Sequence, residues 1–208
     1  MPTAVAKVES LARRMGLIRP RELIDRGLPP TYLSELAKKG VLQRPTRGVF
    51  LHSSRELSEH HSLEIVAKRV PNGVVCLLSA LVVHGIGTQN PREIWVAIGP
   101  KAKARAPRLD YPPLRTVRFP GKAATDGVQE LKERDRRIRV YSPAKTVADC
   151  FKFRNRIGLD VALEALREGW RTRTFSMDEL DRCVAVCRVR RVMRPYLESL
   201  TALVPAAT

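Results

Sequence analysis

The stretch from Arg19 to Leu51, RPRELIDRGLPPTYLSELAKKGVLQRPTRGVFL, constrains this chain more than any other. Pro20 suits the first turn of a helix, where its missing N–H has no partner to lose. Gly27 suits the left-handed residue just past the end. Pro30 opens a second helix in the same way, and Gly40 closes it. Leu33, Leu36 and Ala37 lie at i, i+3 and i+4, which predicts one narrow buried face. Thr31, Tyr32, Ser34, Glu35, Lys38 and Lys39 then point elsewhere. Val41-Leu42 and Val49-Phe50-Leu51 predict two strands around Pro45-Thr46-Arg47-Gly48, with Gly48 supplying a positive φ. Helix, short turn, helix and basic-tipped hairpin is the pattern of a winged helix-turn-helix. Its second helix can enter a major groove while the hairpin lies along the backbone. Similar helical hairpins also serve as protein-docking modules, so charge has to decide. Up to Ser54 there are ten Lys and Arg against four acids. Lys38, Lys39 and Arg47 fall where the groove helix ends and the wing turns, which favours DNA.

The whole chain carries the same sign. A net charge of +17 and a pI near 10.6 favour a polyanionic partner, nucleic acid or an anionic membrane surface. The membrane is the weaker option. The longest apolar run, Val74 to Val83, is half of the ~20 residues needed to span a bilayer. No signal peptide is visible in the first residues, so Cys76, Cys150, Cys183 and Cys187 are expected as reduced thiols in a cytoplasmic protein. A length of 208 residues predicts two domains, 1–54 and 55–208.

Taken in order, Thr3 to Met15 predicts a first helix with Val5, Val8, Leu11, Ala12 and Met15 inward, closed by Gly16. After the hairpin, Ser58 to Val70 predicts a helix, and Gly73 to Gly85 a second one that is apolar all round and therefore buried. His84 at its end is expected as a satisfied helix-terminal residue, whose positive form would suit the helix dipole. Glu93 to Gly99, Leu114 to Phe119 and Arg137 to Ser142 predict strands. Pro100 to Pro113 predicts a basic loop carrying Lys101, Lys103, Arg105 and Arg108. Ser142-Pro143 starts a helix that Gly158 breaks, and Leu159 to Trp170 forms another. A last long helix should run from Ser176 until Pro195 disrupts it. The fold class expected is α+β: an N-terminal winged helix-turn-helix, then a mixed α/β domain with a small sheet covered by helices.

Candidate chemistry is sparse. Ser142-x-x-Lys145 has the spacing of a serine nucleophile and its lysine base, but the capping role explains Ser142 and no partner motif follows. Cys183 and Cys187 lie at i, i+4, yet a structural zinc needs about four ligands and no second pair sits at that spacing. Asp149, Asp160 and Glu164 on amphipathic helices are expected as solvent partners of Lys and Arg. No phosphate-cradling glycine loop follows a strand. The sequence therefore predicts no catalytic residue, no metal and no cofactor.

The Arg21 to Leu51 stretch, followed by CLLSALVVHGIGTQNP, RVYSPAKTVADCFKFRNRIGLDVALEALRE and VMRPYLE, resembles the AbiEi-type antitoxins, transcriptional regulators of bacterial type IV toxin–antitoxin and phage-defence systems. The resemblance runs from about Gly16 to Glu198. It implies a winged helix that represses its own operon, and a C-terminal domain that provides antitoxicity. The implied partners are double-stranded DNA of the chain's own promoter and a nucleotidyltransferase-like toxin, counteracted without a stable complex. Pro29-Pro30 departs from the family, whose members often place Ser or Thr before the recognition helix. The residues expected to touch DNA are Thr31, Tyr32, Ser34 and Lys38 in the major groove and Lys39, Arg44 and Arg47 at phosphates. Two other readings stand beside this one: a repressor binding a small effector under the Val74 to Val83 helix, and a nucleic-acid-processing enzyme with Asp149 as a metal ligand.

Overall fold

The computed structural model describes residues 3–54, 61–99, 109, 111–133 and 136–202. They divide into two units. One falls within Met1–Pro71, Arg105–Leu114 and Lys132–Ile138, the other within Asn72–Ala104, Arg115–Leu131 and Arg139–Thr208.

In the first unit, Thr3 caps α1 (Ala4–Met15) by accepting the Ala6 N–H at 3.3 Å, and Gly16 ends it at φ 68°. A two-residue strand β1 (Leu17–Ile18) leads into α2 (Pro20–Ile24), where Pro20 holds the first turn and the Glu22 carboxylate accepts the Arg19 N–H at 2.9 Å. Gly27 at φ 68° turns the chain toward α3 (Thr31–Lys38), and Gly40 at φ 75° releases it. β2 (Leu42–Thr46) and β3 (Val49–His52) follow, joined by Arg47-Gly48 with Gly48 at φ 72°. The sheet order is β1-β3-β2, antiparallel, with Ile18 opposite Phe50, Leu17 opposite Leu51 and Thr46 opposite Val49. The register shifts between Gln43 and Thr46, an interval holding Pro45 on the edge strand, where a missing N–H is tolerated.

This small sheet is covered on both faces, because strand side chains alternate. Ile18 and Phe50 face α1 to α3 and join Val8, Leu11, Leu23, Leu33 and Leu36 in one cluster. Leu17, Val49 and Leu51 face the other way and meet Ile65 of α4 (His61–Arg69). Ser58, where the sequence predicts that helix to start beyond a domain boundary near Ser54, lies outside the described residues. The packing of α4 is with β1 and β3.

Most of the second sheet, five-stranded and of order β6-β5-β4-β8-β7, belongs to the second unit. Its strands are β4 (Val74–Val75), β5 (Ile94–Ile98), β6 (Leu114–Arg118), β7 (Val128–Glu133) and β8 (Arg136–Tyr141). β4 pairs antiparallel with β5 and parallel with β8, Val75 lying opposite Val96 and Val140. The helices are α5 (Leu77–His84), α6 (Pro143–Lys152), α7 (Arg154–Ile157), α8 (Leu159–Arg171), α9 (Met177–Cys187) and α10 (Arg190–Ala202). α6 is the central one, buried at every position from Ala144 to Phe151, and packs against α5, α8 and α9.

Several expectations need correction here. Gly73 to Gly85 is not one helix. Val74-Val75 enters the middle of the sheet, Cys76 donates its N–H to Trp95 O at 3.0 Å, and only then does α5 begin. A short apolar run has no periodicity to tell a buried strand from a buried helix. Nor is α5 buried all round, since Val82 is 49% exposed. The long terminal helix is two. Arg188 takes a left-handed conformation at φ 57°, Val189 N–H bonds Val184 O, and α10 starts at Arg190. Pro195 lies inside α10 on its exposed side. β7, with the polar sequence VQELKE, was not foreseen; as an edge strand it needs no apolar alternation. Of the basic loop, Lys101, Lys103, Arg105 and Arg108 lie outside the described residues.

Candidate nucleic-acid interface

The buried stripe of α3 is fixed by Leu33 and Leu36, at 0% and 3% exposure, so the rest of the helix must turn outward. Thr31, Ser34 and Lys38 lie at i, i+3 and i+7, exposed on one face together with Glu35. Tyr32 is placed differently from the sequence expectation. It is half-buried against Leu33 and its neighbours in the first core, so its ring is partly a packing element. Pro30 occupies the cap position of α3 in a helical conformation and offers no side-chain acceptor, as Pro29-Pro30 implied. The first free amides of α3 therefore lack a capping hydroxyl.

Four cations stand where the helix ends and the hairpin turns. Lys38, Lys39, Arg44 and Arg47 are all exposed, and among the described residues none of their side chains is held in an ion pair or hydrogen bond. Arg44 lays its guanidinium over the Phe50 ring, 5.8 Å from the centroid, which covers the ring and leaves the charge at the surface. Arg47 forms the turn with Gly48.

Behind the hairpin, α4 contributes residues that no motif marks. Lys68 forms a largely buried ion pair with Glu22 of α2, and Arg19 Nη1 donates to Lys68 O at 2.5 Å. Arg69, half-buried, reaches the hairpin turn: its Nη1 lies 3.2 Å from where a Cβ on Gly48 would stand. Sequence gave no signal for this placement, because it depends on how α4 docks on the sheet.

A second concentration of charge lies in the interior of the other unit. Lys145 Nζ donates to both oxygens of Asp149, at 2.7 and 2.6 Å, and both side chains are fully buried. Cys187 Sγ donates to the same carboxylate at 3.2 Å. The ammonium also faces the Tyr141 and Phe119 rings, 4.2 and 4.8 Å from their centroids. Burial raises the Asp149 carboxyl to about 6, against the opposing pull of Lys145. Burial also raises the Cys187, Cys150 and Cys76 thiols, which disfavours thiolate at neutral pH. Asp149 is thus a core residue, contrary to its expected role as a solvent partner, and its oxygens are taken by Lys145 and Cys187. Among the described residues no group of three or more His, Cys, Asp or Glu is placed to hold a metal. Ser142 accepts the Lys145 N–H at 3.3 Å as the cap of α6, while the Lys145 ammonium is bound to Asp149, so the pair is not arranged as nucleophile and base.

Two other expected side chains hold structure together. His84 Nε2 donates to Tyr141 O at 2.7 Å, the satisfied helix-end role expected of it, and burial lowers its pKa against the opposing pull of that hydrogen bond. Glu164 accepts from Thr88 N–H and Oγ1 at 3.1 and 2.8 Å, and Glu168 from Gly87 N–H at 2.6 Å. These two acids of α8 tie down the loop that leaves α5. No described helix is long and apolar enough to cross a membrane.

Comparison with known proteins agrees with the first unit most directly. No curated protein sequence matches the chain. The crystal structure of the RV2827C protein from Mycobacterium tuberculosis is similar in fold, with a TM-score of 0.59 over 89% of this chain and 72% of that one, at 16% identity. The motifs SALVVHG and SPAKTVADCFKFR lie outside the family match, which covers the helices and hairpin described above. In that stretch, residues 7–51, the chain matches the family described as transcriptional regulators of the AbiEi antitoxin type.

Proposed function

We propose that this chain is a DNA-binding transcriptional repressor that controls its own operon and acts as the antitoxin of a type IV toxin–antitoxin pair in phage defence. The observation that carries the reading is the exposed α3 face, Thr31, Ser34 and Lys38, beside Lys39, Arg44 and Arg47, whose side chains are unpaired among the described residues, all within the family-matched stretch. In this reading the first unit is a winged helix-turn-helix. α3 enters the major groove, Ser34 meets a base edge, and the hairpin cations hold phosphates. Tyr32 contributes its hydroxyl end while its ring stays packed. The net charge of +17 supplies the sequence-independent part of the affinity. The toxin, a nucleotidyltransferase-like protein, is opposed without a stable complex.

The test uses the full chain and the DNA upstream of its gene. Arg47→Ala and Lys39→Ala should weaken binding to every sequence alike and reduce the log–log salt slope by about one unit each. Ser34→Ala should cost about 1–3 kcal/mol on the upstream DNA and little on random DNA. Equal losses of Ser34→Ala on both DNAs would show that α3 does not read bases. No binding of the parent chain to either DNA would overturn the repressor reading as a whole.

A further inference from the structure

Arg69 ends α4 beside the wing turn. Its Nη1 lies 3.2 Å from where a Cβ on Gly48 would stand, and its Nε is buried with no hydrogen-bond partner among the described residues. Thr46, which closes the turn opposite Val49, is 4% exposed, and its Oγ1 is likewise unpartnered. Buried polar groups are nearly always satisfied, so two orphans flanking one turn point to an acceptor brought from outside the chain.

The base of Arg69 is held firmly. Ile65 anchors α4 under the sheet with Leu17, Val49 and Leu51. Lys68 is ion-paired with Glu22, and its carbonyl accepts from Arg19. A guanidinium fixed at its root loses little freedom when it binds, and its planar fork matches two oxygens of one phosphate. Arg47 stands exposed in the same turn and, among the described residues, has no acid partner. Gly48 is needed for its φ of 72°, which makes the turn, and a Cβ on it would crowd the tip of Arg69 at 3.2 Å.

We propose that Arg69, together with Arg47 and the Thr46 hydroxyl, forms a phosphate-binding site at the hairpin tip whose ligand is a phosphodiester of duplex DNA. The inference rests on the DNA-binding reading above and extends the interface past residue 51, into a helix that the family match does not reach.

Arg69→Gln keeps the stem and removes the charge. With the full chain and a short random-sequence duplex across a salt series, its log–log slope should fall by about one unit, as for Arg47→Gln, and Arg69→Lys should restore the parent slope. Melting temperatures of the same variants are read alongside. A parent slope in Arg69→Gln, with Arg47→Gln still reduced, overturns the Arg69 site and leaves the DNA reading standing. Loss of slope in Arg69→Gln that Arg69→Lys does not restore, with the melting temperature lowered in both, makes Arg69 a brace for the hairpin and also overturns the site. A parent chain that binds no duplex overturns both readings.

Discussion

Lys145 and Asp149 show what a buried charge requires of its neighbours. The pair is fully buried, with Cys187 and two aromatic rings completing its surroundings. Lys145→Met would leave the carboxylate enclosed with only a thiol as donor. Loss of one partner from such a pair costs about 3–5 kcal/mol, whereas replacing both by apolar groups of similar volume is often neutral. Urea unfolding should therefore give a large loss for Lys145→Met and recovery of most of it in Lys145→Met/Asp149→Leu. A double variant as unstable as the single one would mean that the Asp149 oxygens are needed for more than balancing Lys145. Asp149 itself could not be recognised in the sequence as a core residue. Its place four residues after Lys145 is equally the spacing of a solvent-exposed pair.

At the scale of the element, the break between α9 and α10 is made by a residue poorly suited to it. Arg188 is left-handed at φ 57°, a conformation that costs an ordinary side chain about 1–2 kcal/mol and glycine almost nothing. The compensation is the burial of Val189 and Met193, at 2% and 0% exposure, which requires the turn to sit there. Arg188→Gly should therefore raise the unfolding free energy by about 0.5–1 kcal/mol once its looser unfolded chain is counted, and Arg188→Val should lower it. Thermal melting of the two variants gives the signs, and a fall in both would mean that the Arg188 side chain matters more than its backbone. The first unit's elements were legible because their signals are local. Thr3, Pro20, Gly27, Gly40 and Gly48 each fix a start, an end or a turn through their own backbone chemistry. The Arg188 break has no such marker.

Over the whole molecule, the positive charge extends well beyond the first unit. From α10, Arg190 and Arg191 are exposed and, among the described residues, without an acid partner, while Arg194 is paired with Glu198 at 2.8 Å. If this surface adds sequence-independent contacts to DNA, Arg190→Gln/Arg191→Gln in the full chain should lower the salt slope by about two units and leave the preference for upstream DNA intact. An unchanged slope would assign these charges to solvent. The sequence by itself determined the α+β composition, the helix–turn–helix–hairpin order of the first unit and, Tyr32 apart, the outward face of α3, since caps, turn glycines and periodicity act over a few residues. Only the tertiary structure decided which apolar run became the central strand β4, that α4 packs under the hairpin and brings Arg69 to its turn, and that Asp149 belongs to a core. Each of these depends on a partner far away in the chain, and a local pattern carries no record of which partner a side chain will meet.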